Sequence, residues 1–500
     1  MAPRRPLLLG VLLVTLLRVP SSVAAKASAA PTVEVTVGVL LPGRNLGYPW
    51  AWPRVKPALS LALEALEPQL PPLGLDVRIA FDSTEDENGN CSPQAALSRA
   101  TGLKLSHDPD VLLGLGCQAT SSAVASLAQR WQLPLLTAGL YQGQGKFGNS
   151  TAVYGGPLGP ALGAFLAQLH RRFNWTSRAA LVVSFSRYRE YFQELLPDSA
   201  GFTVRVHQYE QPDQAVRFIR AEGRAIYICG PLKMLQEIMS LVHAQGMANG
   251  DYVFLFVDVF EESLRISGYH EAIKPWQIKQ SQDAGGLREA FQTVLVVTPH
   301  EPQTPEYRRF QSQLTLRAKR EFAVPENKSC GTVVPGCFHD VLLLYLRALN
   351  ETLQEGGTKR DTSHILEKMR GLEIRGVTGT VSINSNNDRE MDFDLWAMRD
   401  VESGEYQVVA HYIVSEKWIN WTGRIHWKKG GPPLDNPPWD AKAAGKGEGN
   451  ENGSTATCAC FSIPTSELLL GGFRVSDFLA LARRTHLSPE QDVEQIQMCK

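Results

Sequence analysis

The sequence predicts an α/β chain of two doubly wound lobes, with the backbone crossing between them three times. Strand-like and helix-like segments alternate from Val33 to Thr298. Repeated strand–helix–strand units make parallel sheets covered by helices on both faces. The strands are too many for one comfortable sheet of this kind, which requires a second.

The first strand follows from Val33, Val35, Val37 and Val39, which alternate as in a half-buried strand and stop at Pro42 and Gly43. A helix follows, with Pro53 near its start and Val55, Leu59, Leu63 and Leu66 on one face. Leu75, Val77, Ile79 and Phe81 form the next strand; then come a polar helix near Gln94 to Leu105 and a strand over Val111 to Leu115. A helix near Ser121 to Trp131 leads to the strand Leu133 to Ala138. The rhythm continues with the helix Leu158 to Phe173 and strands at Ala179–Phe185, Thr203–Tyr209, Ala225–Cys229, Tyr252–Val259 and Val294–Thr298. Helices over Pro305–Phe322, Phe338–Leu353 and His364–Met369 come too late to serve the second lobe, so the chain must return to the first. Strands at Val377–Ile383, Phe393–Met398 and Gln407–Ile413 close the core. This is the bilobal plan of a periplasmic-binding-protein type I-like fold. Crossings are expected near Ala138–Leu140, Thr298–Pro302 and Gly376–Gly379, giving lobes of 33–139 with 299–376 and of 140–298 with 377–438.

Composition excludes several classes of partner. The 500 residues carry 50 Lys and Arg against 51 Asp and Glu, net charge -1. Nucleic acid needs a basic footprint that displaces phosphate counterions, and a membrane surface needs a polybasic face; neither is present. Residues 1–25 read as a secretory signal: Arg4 and Arg5, an apolar run from Leu7 to Leu17, and small residues for cleavage at Val23-Ala24-Ala25 or Ala27-Ser28-Ala29. That run is shorter than the ~20 residues a bilayer requires. Export agrees with the glycosylation sequons at Asn149, Asn174, Asn327, Asn350, Asn420 and Asn452. Asn90 also fits the pattern, but Cys91 in the middle position disfavours transfer.

Eight cysteines in an oxidising compartment suggest disulfides. Cys91 and Cys117 flank one helix at the ends of neighbouring strands and are the candidate pair. Cys229 ends an apolar strand and reads as a buried thiol. Cys330 and Cys337 would close a small loop, and Cys458, Cys460 and Cys499 stay unassigned. No catalytic signature emerges: there is no metal-type CxxC, HExxH, GxSxG or phosphate loop. Gly143-x-Gly145-x-x-Gly148 has the letters of a dinucleotide fingerprint, but Asn149 begins a sequon where a phosphate-binding helix is required.

Segments including YPWAWPRVKPAL (48–59), HDPDVLLGLGC (107–117), FIRAEGRAIYICGPLKML (218–235), LREAFQTVLVVT (287–298), GCFHDVLLLY (336–345) and NNDREMDFDLWAM (386–398) resemble the natriuretic peptide receptors, the receptor-type guanylyl cyclases, closest to their B-type branch. The resemblance runs in order over about residues 33 to 438. It implies an extracellular homodimer that binds one natriuretic peptide hormone between two membrane-proximal lobes, here the second lobe. It places hormone-facing aromatics at Phe185, Tyr191, Phe192 and Tyr209, where ordinary core packing is the competing reading. It also implies a chloride in the membrane-distal first lobe, held by backbone N–H groups at Gly116 and Cys117 and a hydroxyl at Thr84, where the family usually has serine. A disulfide-pinned strand–helix turn is the alternative for those residues.

The chain departs from the family at several points. Leu115 replaces a proline, Ala119 and Ser126 stand where a tyrosine and an arginine are expected, and the segment Tyr188 to Val206 is short. Trp439 replaces a juxtamembrane cysteine, beyond which the family has a membrane span, a kinase-like domain and a cyclase domain. Instead, residues 439–500 read as a disordered linker with a short amphipathic helix over Ser466–Arg484, whose Arg474, Asp477, Arg483 and Arg484 forbid a span. The expectation is a secreted, soluble form without catalytic machinery, the tail being an alternative or erroneous end. A hormone-dead decoy and a small-molecule binder using the interlobe cleft are the rival readings.

Overall fold

The computed structural model describes residues 32–66, 74–139, 150–157, 159–176, 178–184, 202–259, 274–277, 284–325 and 333–435. The signal segment, the tail from 439, Phe185, Tyr191, Phe192, the Gly143–Gly148 motif, Cys330, Asn149, Asn327 and Asn452 all lie outside them.

The first sheet contains β1 (Val33–Leu41), β2 (Leu75–Ser83), β3 (Val111–Gly114), β4 (Leu135–Thr137) and β5 (Ala152–Tyr154). Its order is β2-β1-β3-β4-β5 with every neighbour parallel. The valine alternation in β1 predicts a half-buried strand, yet all five residues from Val37 through Leu41 are buried, so both faces of the strand are covered there. The cause is the pair of helical layers. On one side lie α1 (Trp52–Leu66) and two helices from late in the chain; on the other lie α2 (Pro93–His107) and α3 (Gln118–Arg130). Helix α2 starts where the Ser92 side chain accepts the Ala95 N–H and Pro93 occupies the first turn.

The late helices are α8 (Pro305–Phe322), α9 (Val333–Gln354) and α10 (Thr362–Gly371). They return to the first lobe as the sequence requires. Arg317 on α8 grips Glu64 on α1 through two bonds of 2.6 and 2.8 Å, and Lys56 pairs with Glu321 nearby. Most of α9 is buried, so its apolar residues cover all sides rather than one stripe.

The second sheet contains β6 (Arg178–Ser184), β7 (Thr203–Tyr209), β8 (Ala225–Cys229), β9 (Val253–Val257), β10 (Val294–Pro299), β13 (Phe393–Met398), β14 (Tyr406–Ile413) and β15 (Trp418–Trp421). Its order is β15-β14-β13-β10-β9-β8-β6-β7, parallel from β7 to β10 and antiparallel from β10 to β15. Strand residues alternate between two buried layers. Ile226, Ile228, Phe254 and Phe256 meet α5 (Pro212–Glu222), α6 (Leu232–Ala244) and α7 (Ala284–Phe291). Tyr227, Cys229, Leu255 and Val257 face the side of α4 (Gly159–Phe173), where Phe165 stacks on Tyr412 at 4.9 Å.

Two expected crossings move. β5 pairs with β4, so the first lobe runs past residue 139 to Tyr154 and the first crossing falls at Gly155–Gly156, not at Ala138–Leu140. Val377–Ile383 is not one strand of the second lobe. It contains the turn and second arm of a hairpin, β11 (Glu373–Gly376) with β12 (Gly379–Ser382), packed against α9 and α10. The turn at Val377–Thr378 passes through Gly379 at φ 99°, a left-handed conformation suited to glycine. The third crossing therefore comes after Arg389, shortly before β13. Between the end of β10 at Pro299 and the start of α8 at Pro305 the chain passes from the second sheet to the late helices.

Candidate functional site

The structure joins Cys91 to Cys117 across 26 residues. This bond ties the loop after β2 to the start of α3. Thr84 is 1% exposed and its carbonyl accepts the Ser92 N–H at 3.1 Å, which places it beside that disulfide. Cys117 is the N-cap of α3 and offers no side-chain capping bond. Neither the Gly116 nor the Cys117 N–H has an acceptor among the described residues. Glycine is demanded at 116, because an added Cβ would lie 2.2 Å from the Trp50 ring. The arrangement gives unsatisfied N–H groups ahead of a helix N-terminus next to a buried hydroxyl residue, the elements of an anion nest. Leu115 adopts φ 57°, a left-handed conformation that a proline ring cannot reach.

Tyr209 ends β7, the edge strand of the second sheet. Its hydroxyl donates to Glu237 Oε2 at 2.7 Å, and the ring is half-buried against α6. Burial, then the hydrogen bond and charge of Glu237, raise its pKa. The hydroxyl is thus committed within the lobe, while part of the ring faces outward. Ala119 and Ser126 both lie exposed on α3.

Among the described sequons, Asn174 is exposed at φ 58° just after α4, the left-handed position that ends many helices. Asn420 is exposed on β15, at the opposite edge of the second sheet. Asn350 differs. It lies within α9 at 7% exposure, and that packing makes it the sequon least suited to a glycan. Cys229 is a buried thiol whose pKa burial pushes well up. Cys337 lies deep in α9 with its Sγ beside Met391 Sδ at 3.9 Å, so its side chain points into the core.

Sequence reasoning missed a buried polar knot where the chain leaves the first lobe for the last time. Asp340 on α9 is fully buried and accepts the N–H groups of Val377 at 2.8 Å and Thr378 at 2.9 Å. Its carboxylate also receives the Thr378 hydroxyl and lies 2.8 Å from His339 Nδ1 and 3.7 Å from Arg389 Nη1. Arg389, 1% exposed, donates to the Thr378 hydroxyl at 2.8 Å and to the Thr380 carbonyl at 3.0 Å. Burial alone would raise the Asp340 pKa; His339, Arg389 and Thr378 together outweigh it and hold it low. Gly376 must lack a side chain, because a Cβ there would sit 2.3 Å from the Asp340 carboxyl carbon. The available signal was a lone Asp within the apolar run of α9.

The crossings are bound to one another at this point. Tyr154, the last residue of β5, exchanges backbone bonds with Asn387 and Arg389 at 2.9 and 2.8 Å. The His300 N–H, just past β10, donates to the Asp392 carbonyl at 2.8 Å. No helix among the described residues is long and apolar enough to cross a membrane.

Comparison with known proteins agrees with this architecture. The family profile described as "Receptor family ligand binding region" matches residues 54–400. Atrial natriuretic peptide receptor 2 of Rattus norvegicus is 48% identical over 421 residues, covering 81% of this chain and 40% of that protein. Atrial natriuretic peptide receptor 3 of Mus musculus is 30% identical over 418 residues, covering 79% of this chain and 74% of that protein. The chain thus spans about 40% of the length of the receptor 2 relatives it matches. A solute binding protein of an ABC transporter from Rhodopseudomonas palustris shares the fold, with TM-score 0.52, 13% identity and coverage of 79% of this chain and 99% of that one. With both lobes matched in sequence and in architecture, the chain belongs to the receptor ligand-binding-region family, within its natriuretic peptide receptor branch.

Proposed function

We propose that this chain is the extracellular ligand-binding part of a natriuretic-peptide-type receptor, and that two copies of it bind one natriuretic peptide hormone. The carrying observation is the 48% identity to atrial natriuretic peptide receptor 2 over 421 residues, which include both lobes and the crossings. The physics is compatible with it. A near-neutral chain recognises by shape and aromatic anchors, and two lobes joined at hinges suit binding coupled to movement. This chain would supply the hormone recognition of such a receptor. Export through the secretory pathway belongs to the same reading, with Asn174 and Asn420 as the accessible glycan positions. The aromatic contacts at Phe185, Tyr191, Phe192 and Tyr209 are part of it.

A chloride fits the first lobe. The Gly116 and Cys117 N–H groups lack acceptors among the described residues, and buried Thr84 lies beside them in the same disulfide-tied loop. Those residues would hold the ion, which would supply the negative charge that the start of α3 favours.

The test is calorimetry of the purified, glycosylated chain with atrial, B-type and C-type natriuretic peptides and, separately, with leucine, alongside sedimentation of each mixture. The expected result is binding of at least one peptide at one per two chains. Binding of leucine without binding of any peptide overturns the receptor reading in favour of a small-molecule module. A second reading, a hormone-dead decoy, is favoured by the small exposed side chains of Ala119 and Ser126. It predicts dimers with no measurable peptide binding, restored by Ala119→Tyr with Ser126→Arg.

A further inference from the structure

We propose that His300, Asp394 and His411 form a binding site for a divalent transition-metal cation, best suited to Zn2+, where the second crossing leaves the second sheet. Sheet register builds it. Asp394 on β13 lies opposite Thr298 on β10 and opposite His411 on β14, and directly opposed residues share a face. His300 stands two residues beyond Thr298, so it reaches that same face diagonally from Asp394. The His411 Nδ1 lies 2.6 Å from Asp394 Oδ1, and the His300 Nδ1 lies 3.0 and 3.1 Å from the two carboxylate oxygens. One ligand atom from each residue lies within 4.8 Å of the others, with the imidazole rings at 83°.

Two imidazole nitrogens and a carboxylate oxygen are the donors that Zn2+ takes at 2.0–2.2 Å, which puts neighbouring donors about 3.3 Å apart on a tetrahedral ion. Atoms already at 2.6 to 3.1 Å need to open only slightly to admit it. The histidine side chains, 38% and 32% exposed, have room for that adjustment. The Asp394 side chain is only 4% exposed, and no Lys or Arg pairs with it among the described residues. Its negative charge is therefore left to two imidazoles, which are neutral when they act as metal ligands. A cation bound by the same three atoms supplies a fixed counter-charge to the buried carboxylate. Ca2+ and Mg2+ favour oxygen ligands and are selected against. A fourth position stays open to water, because both histidines reach solvent. His300 is the first residue past β10 on the way to the first lobe, so a bound ion fastens the second crossing to β13 and β14.

The test takes the purified full chain, strips it with a chelator and titrates ZnCl2 calorimetrically at neutral pH, beside His300→Gln and His411→Gln. One Zn2+ per chain is expected, weakened at least about tenfold by either substitution. Circular dichroism and melting establish that each variant is folded. Should one variant not fold, the other decides together with the Co2+ spectrum of the unsubstituted chain, expected to show visible bands without thiolate charge transfer. Absence of Zn2+ binding, binding unchanged by the histidine substitutions, or a Co2+ spectrum of thiolate ligation would each overturn the assignment.

Discussion

Replacing Asp340 by asparagine keeps the volume of the buried knot and removes its charge. In the native chain the carboxylate accepts from the Val377 and Thr378 N–H groups at 2.8 and 2.9 Å and from the Thr378 hydroxyl. An amide retains one acceptor but turns an NH2 toward donors, so at least one buried N–H loses its partner. Arg389, 1% exposed, would keep its charge with a hydroxyl, carbonyls and the Cys337 sulfur but no carboxylate. Breaking a buried ion pair from one side costs about 3–5 kcal/mol, and the orphaned hydrogen bonds are already within that figure. Asp340→Asn should therefore unfold at markedly lower denaturant than the native chain, with Arg389→Met costing a comparable amount. The double variant should cost less than the sum, because it leaves no unpaired buried charge. pH gives an independent handle. The folded-state pKa of Asp340 is depressed, so its contribution is fully present above the unfolded value near ~3.9 and is lost as pH falls through the lower folded value. Asp340→Asn should lack that acid-dependent loss. Equilibrium urea unfolding of all three variants, repeated from pH 7 to pH 3, measures both effects. A cost below about 1 kcal/mol for Asp340→Asn, or strict additivity in the double variant, would refute the reasoning.

Other predictions follow from single groups. His170 is 1% exposed, stacks on Phe202 at 3.7 Å and has a pKa lowered by burial to about 4. The unfolded chain takes up that proton first, so stability should fall between pH 6.5 and about 4 by roughly 2–4 kcal/mol. Melting temperature against pH, flatter in this window for His170→Gln, checks it. Gly116→Ala should destabilise the first lobe by about 1–3 kcal/mol through its clash with Trp50. It should also abolish any chloride dependence of the melting temperature. Tyr209→Phe loses the bond to Glu237 and about 1 kcal/mol of stability. Its peptide affinity should match the native chain by calorimetry if the ring is the contact. The Cys229 thiol should react with iodoacetamide only after denaturation, since it is 0% exposed and its pKa is raised.

The fold was legible wherever apolar periodicity ran for a full element. The valines of β1, the one-faced helix α1 and the apolar runs of β8 to β10 all announce themselves. What escaped was short or set by geometry. β5 has three residues, too few to show any period, and missing it misplaced the first crossing by some fifteen residues. Helix α5 is legible from Pro212 at its start and from Ala215, Val216 and Ile219 on its buried face. The β11–β12 hairpin hides because its arms are four residues each and its turn depends on Gly379. Candidate sites divide along the same line. Thr84, Gly116 and Cys117 came from the family resemblance, and only coordinates show the N–H groups without acceptors. Asp340 with Arg389, and His300 with Asp394 and His411, are assembled by tertiary register, to which a linear pattern is blind.

The three crossings act as one mechanical unit. The third is bonded to the first through Tyr154 with Asn387 and Arg389, and to the second through His300 with Asp392. On the first-lobe side it is anchored by the Asp340–Arg389 knot, and on the second-lobe side it enters β13 at Phe393. The span between these anchors is only Glu390 to Asp392. Gly155 and Gly156 have no space to slide, since a Cβ at each would strike Val341 or the Ala138 carbonyl at 2.9 and 2.5 Å. A shear motion would have to break the lateral bonds between crossings, whereas rotation about them preserves every one. Any relative motion of the lobes that keeps these bonds would be a hinge about this strip. Ligation at His300 would act on the strip itself, and, on the proposed reading, a hormone held against the second lobe would act on the arm that the strip carries.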